Sequence, residues 1–194
     1  MTKDMTSGNP VKLIVLFSIP LLIGNIFQQF YSMVDTVIVG RYLGVDALAA
    51  VGSTSSMFFL INGFVVGIAS GFSILVAQRF GAKDNEGLKK AVSSSIILCV
   101  FAVIILTSIS ILFSRHLLHI MNTPENIIDD AATYINIIYS GIFATLAYNM
   151  ISSILRALGD SRTPLYFLII SSFLNIILDL IFIVNFSMGV SGAA

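Results

Sequence analysis

Three residues in this sequence combine an ionisable or strongly polar side chain with an apolar setting: Asp35, Asn175 and Asp179. Asp35 lies inside the run F-Q-Q-F-Y-S-M-V-D-T-V-I-V-G, and Asp179 inside L-N-I-I-L-D-L-I-F-I-V. A carboxylate at membrane depth is costly, so such a group usually faces a protein interior or a wet cavity. Gln28, Ser32 and Asp35 are spaced i, i+4, i+7 and share one helix face. Asn175 and Asp179 are i, i+4 and share another. Neither run holds a lysine or arginine that could pair with its acid. Two such carboxylates in one chamber would hold a proton or a cation such as Na+ between them, which is the chemistry of ion-coupled transport. Three other readings stand beside this one: Asp35 at the headgroup level, polar residues serving only interhelical hydrogen bonds, and protonated acids acting only as structural donors.

The elements that carry these residues are apolar helices. The chain has 194 residues, 57% hydrophobic and only 10% charged, with a net charge of zero; its mean hydropathy is +0.98. A soluble domain carries about 25% charged residues, so this composition points to an all-α integral membrane protein. Zero net charge argues against nucleic acid as a partner. Cys99 is the only cysteine, which excludes an intrachain disulfide. No P-loop is present to bind a nucleotide, so no cofactor is expected. The polar start, M-T-K-D-M-T-S-G-N-P-V-K, has no signal-peptide pattern, and the first apolar stretch is expected to be retained.

Five stretches are long enough to cross a hydrocarbon core needing about 20 helical residues: 13–39, 47–77, 91–113, 127–155 and 165–184. A sixth helix is expected to begin near 188, in a chain that ends without a polar stop. Lys3, Lys12, Arg79, Lys83, Lys89, Lys90, Arg156 and Arg162 fall on one side of this topology, and only Arg41 and Arg115 on the other. The positive-inside rule then puts the N-terminus in the cytoplasm. At the rise of an α-helix, Asp35 lies about 33 Å from Leu13 and Asp179 about 21 Å from Leu165. Both spans run outward, so the two acids reach similar depth in the outer half.

Pro20 interrupts the hydrogen bonding of the first span and predicts a kink, either fixed or acting as a hinge. Gly63, Gly67 and Gly71 form a small-residue stripe expected to pack against another helix. The fourth span carries Tyr134, Tyr139, Asn149 and Ser152, candidates together with Gln28 and Ser32 for lining a polar cavity. His116 and His119 sit in a loop and make a poor metal pair.

These residues resemble the multidrug and toxic compound extrusion (MATE) family, of the bacterial NorM/DinF-like type. The likeness rests on T-S-G-N-P, on P-L-L-I-G-N-I-F-Q-Q-F-Y-S-M-V-D, and on V-G-R-Y-L-G-V-D-A-L-A-A-V-G. I-L-R-A-L-G-D-S-R-T-P-L and the pair Asn175/Asp179 add to it. It runs along the whole chain but covers only the first half of a twelve-helix transporter. The resemblance implies an N-terminal bundle that would join a C-terminal bundle of its own chain in the plasma membrane. It implies export of small organic, often cationic or amphipathic, compounds in exchange for H+ or Na+, and no enzymatic activity. It assigns ion coupling to Asp35, Asn175 and Asp179, cavity positions to Gln28 and Tyr134, and the helix bend to Pro20. Ser152 departs from the family, which often has asparagine near that position; here Asn149 stands one turn earlier. A hydroxyl ligand expected in the sixth helix would lie beyond Ala194. A lipid-linked oligosaccharide flippase of related architecture is the alternative, although no mid-membrane cations are present to hold a pyrophosphate. An intramembrane aspartyl protease is remote: the nearest G-x-G-D match, Ala157 to Asp160, falls in a turn. A structural or channel-like bundle, marked by ion flux without drug exchange, is a further rival.

Overall fold

The structure, a computed structural model, describes residues 9–194. Lys3 and the beginning of the T-S-G-N-P motif lie outside the described residues. The order is α1 (Pro10–Tyr42), α2 (Val45–Gly81), α3 (Asn85–Ile120), α4 (Ile128–Ser140), α5 (Ile142–Ala157) and α6 (Arg162–Leu180). A π-helical turn, Ile181–Asn185, and a 3-10 turn, Gly189–Gly192, follow. Among the described residues, four helices are long and apolar enough to cross a membrane, and the bent pair α4–α5 makes up to five.

The helices outrun the apolar stretches because their polar ends are capped. Asn9 starts α1 by accepting from the backbone N–H groups of Val11 and Lys12, with Pro10 in the first turn. Asp84 starts α3, accepting from Gly87 N–H at 2.8 Å and from Arg79 at 3.0 Å. Those two bonds, the backbone one first, hold the Asp84 carboxyl below the usual aspartate range. Asp160 starts α6: its carboxylate accepts from the N–H groups of Arg162 and Thr163 and from Thr163 Oγ1 at 2.7 Å. The turn from α1 to α2 needs Gly44 at φ +91°, and the turn before α6 needs Gly159 at φ +84°.

Three expectations change here. The stretch 127–155 is not one helix but two, bent by 45° at Gly141. Thr145 Oγ1 reaches back to the Gly141 carbonyl at 3.4 Å, a side-chain bond of the kind that bends helices. His116 and His119, expected in a loop, fall in the last turns of α3; near the expected start of a sixth helix, Gly189–Gly192 form a 3-10 turn in contact with α4. Pro20 lies buried within an α1 that remains helical on both sides of it.

The described chain packs in two parts. α2, α3, α4 and α5 surround a core built from residues such as Met57, Val65, Leu118, Ile135, Tyr139 and Leu146. α1 packs mainly against α6. Outward positions such as Ile26, Phe30, Phe101, Ile105 and Leu112 are exposed and apolar. Large apolar side chains on the outside of the bundle reverse the soluble pattern, as a bilayer environment permits.

Candidate functional site at the contact of α1 and α6

α1 and α6 meet in one constant register. A side chain at Gly24 would touch Leu168, whose Cδ2 lies 3.4 Å from the position of a Cβ there. Asp35 follows Gly24 by eleven residues, and Asp179 follows Leu168 by eleven. Eleven residues are about three helical turns, so two parallel helices in contact at Gly24 and Leu168 face each other again at the acids. The structure agrees with this register: Asp35 and Asp179 lie close enough for each carboxyl group to act on the other. Glycine at position 24 permits the close approach that sustains the contact.

Asp179 is 4% exposed and Asp35 is half-buried. Asp35 Oδ1, Asp179 Oδ2 and the neighbouring Asn175 Oδ1 are buried without a hydrogen-bond partner. The ion pairs among the described residues are Arg79–Asp84 and Arg115–Asp129, so neither acid is neutralised by a cation. Two carboxylates this close cannot both stay charged at low cost. A proton shared between the carboxyls would serve the acids alone, whereas a cation held by their oxygens and Asn175 Oδ1 would satisfy all three atoms.

Two tyrosines complete the cluster. Tyr134, on α4, and Tyr31, one turn before Asp35 on α1, both lie close enough to feel the charge of both acids. Sequence reasoning missed Tyr31, although its i, i+4 spacing to Asp35 was a usable signal. Tyr134 also packs against the small cluster of Val39, Ala47 and Val190, which fixes where α4 and the 3-10 turn meet the end of α1.

The remaining candidates have local surroundings of their own. Gln28 and Ser32 are exposed on α1, and the Ser32 hydroxyl donates to its own helix at the Gln28 carbonyl, 3.1 Å away. Tyr139 is 1% exposed within the apolar core; it borders a cavity of about 20 Å³ together with Asn62 and Thr145. Asn149 donates to the Thr145 carbonyl at 2.8 Å. Ser152 is buried on α5. Tyr139 is five residues from Tyr134, about 140° around α4, while Asn149 and Ser152 lie beyond the 45° bend. Gly63, Gly67 and Gly71 are exposed with open space beside them, so the expected packing partner is not among the described residues.

Comparison with known proteins gives consistent matches. A family profile described as MatE matches residues 20–181. The chain is 36% identical over 191 residues to the probable multidrug resistance protein YpnP of Bacillus subtilis, covering 98% of this chain and 43% of that protein. It is 39% identical over 183 residues to the probable multidrug resistance protein YoeA of the same organism, covering 92% of this chain and 40% of that one. Among solved structures, a MATE crystal structure in the bent conformation superposes with a TM-score of 0.89 at 34% identity, covering 96% of this chain and 42% of that one. The chain thus spans about two fifths of the length of the curated relatives it matches.

Proposed function

The chain belongs to the MatE family, and from that premise we propose that it forms the ion-coupling half of a secondary active exporter. In this reading the transporter moves small, drug-like organic compounds out of the cell by antiport with H+ or Na+. The observation that carries it is the facing pair Asp35 and Asp179, buried between α1 and α6 without a cationic partner.

The chemistry follows from charge. When the pair is vacant, two carboxylates repel each other and strain the α1–α6 contact. When a proton or Na+ enters, the repulsion is relieved and the helices close, with Asn175 Oδ1 and the Tyr134 hydroxyl available as further oxygens. An ion that binds one arrangement better than the other shifts the balance between them by its differential affinity. Exchange results if drug occupies the arrangement that the ion disfavours. Drug breadth would come from an apolar and aromatic cavity with few fixed polar groups. The transporter would sit in the plasma membrane with a cytoplasmic N-terminus.

The test is efflux from proteoliposomes containing the full-length transporter. Asp35→Asn and Asp179→Asn are each expected to abolish ion-driven efflux while leaving drug binding measurable. Full efflux in either variant refutes coupling at this pair. An imposed Na+ gradient without a pH gradient, and the reverse, separates the two coupling ions.

A further inference from the structure

α3 and α4, which pack against each other, carry a second set of buried polar atoms. Thr107 Oγ1, Ser110 Oγ and Asn136 Oδ1 are all buried and all lack a hydrogen-bond partner. The two helices are antiparallel neighbours, and Arg115 of α3 donates to Asp129 of α4 at 2.8 Å. Ser110 and Thr107 lie five and eight residues before Arg115, and Asn136 lies seven after Asp129. At equal rise these are about 7, 12 and 10 Å along the helices from the ion pair, so Asn136 is level with the gap between the two hydroxyls. Asp129 and Asn136 are i, i+7 and share the side of α4 that Asp129 turns toward α3.

Neighbouring hydroxyls on α3 behave differently. Ser95 donates to the Ala91 carbonyl and Ser114 to the Ile111 carbonyl. Ser110 does neither, although it is only 3% exposed. Buried polar atoms in folded proteins are almost always hydrogen-bonded, to protein or to ordered water. Three partnerless oxygens at similar heights on two packed helices therefore call for a further partner.

We propose that a water molecule is bound here, bridging Thr107, Ser110 and Asn136. It donates to Asn136 Oδ1, which can only accept, and to one hydroxyl, and it accepts from the other. A bridging water needs two to four polar partners, and this site supplies three. All three are neutral, and no carboxylate among the described residues at this level could compensate a cation. The site is separate from the acid pair: Asn136 and Tyr134 are two residues apart and point to nearly opposite sides of α4.

A density map of the full-length protein in lipid nanodiscs, at a resolution that shows ordered water, tests this directly. The expected result is one peak within about 3.2 Å of at least two of the three oxygens. A direct Thr107–Asn136 or Ser110–Asn136 hydrogen bond with no peak overturns the proposal. Thermal melting gives a second reading. Asn136→Leu alone strands two hydroxyls and their water, and is expected to lower Tm. The triple variant Thr107→Val, Ser110→Ala, Asn136→Leu leaves nothing to hydrate and is expected to melt above that single variant. Single variants that each raise Tm additively would show that the oxygens held nothing. A Tm that rises with NaCl but not with equal KCl would make the guest a cation and refute the water.

Discussion

At the residue scale, this molecule separates acids that work by being paired with donors from acids that lack them. Asp160 belongs to the first kind. Burial alone would raise its affinity for a proton, but the N–H of Thr163, the Thr163 hydroxyl and the N–H of Arg162 outweigh burial and hold its carboxyl well below the usual aspartate range. A depressed folded value means that Asp160 stabilises the fold fully above the free-aspartate range near 4, and that this support is lost as pH falls toward the folded value. Asp160→Ala should lower stability by about 1–2 kcal/mol, the usual loss for a helix cap, as read by thermal melting at neutral pH. The deficit should shrink when the melts are repeated at pH 3. Asp35 and Asp179 belong to the second kind, with buried oxygens that no described side chain satisfies. The tyrosines beside them invite a sharper experiment: Tyr134→Phe keeps the ring that packs on Val39 and Val190 but removes the oxygen. Expression and melting should be nearly unchanged, while the ion concentration for half-maximal efflux rises several-fold.

At the element scale, the decisive fact is that α1 and α6 hold one register over three turns. Gly24 makes that possible, since its neighbours Leu165 and Leu168 already lie at van der Waals range of a Cβ there. Gly24→Ala should be tolerated. Gly24→Leu should wedge the helices apart at one contact and, through the shared register, separate the acids three turns away. Efflux should then fall at least tenfold with the protein still inserted, and spin labels on the exposed sides of α1 and α6 should report a wider distance. The bend at Gly141 is the other feature of this scale. It divides the fourth span into a short piece that carries Tyr134 and Asn136 and a longer piece tied to α6, through Tyr148 Oη donating to the Pro164 carbonyl at 3.2 Å.

At the scale of the whole molecule, the two packing parts and the distribution of charge make claims about topology. Cys99 is the only cysteine and is buried, so a Cys99→Ser background is clean for labelling. Cysteines introduced at Lys83 and at His116 should react with a membrane-impermeant thiol reagent from opposite sides, Lys83 from the cytoplasm. Reaction of both from one side would refute the span order. The exposed stripe of Gly63, Gly67 and Gly71 belongs to this scale as well. Its small residues were legible as a close-approach surface, but what approaches it does not come from the described helices.

The pattern of apolar runs, turn residues and cations was enough to establish a membrane-spanning helical bundle, because the length of hydrocarbon to be crossed and the cost of an exposed backbone leave one local solution. The same reasoning found both acids, since an aspartate amid leucine and isoleucine is conspicuous without knowledge of its neighbours. From helix rise alone it expected them at similar depth. It did not reveal that Tyr31 lies near them, that Tyr139 is buried in the apolar core, or that 127–155 breaks at Gly141. Those outcomes depend on which helix packs on which and at what rotation. Such choices are made by contacts between residues more than a hundred positions apart, as between Gly24 and Leu168, and one-dimensional periodicity carries no record of them.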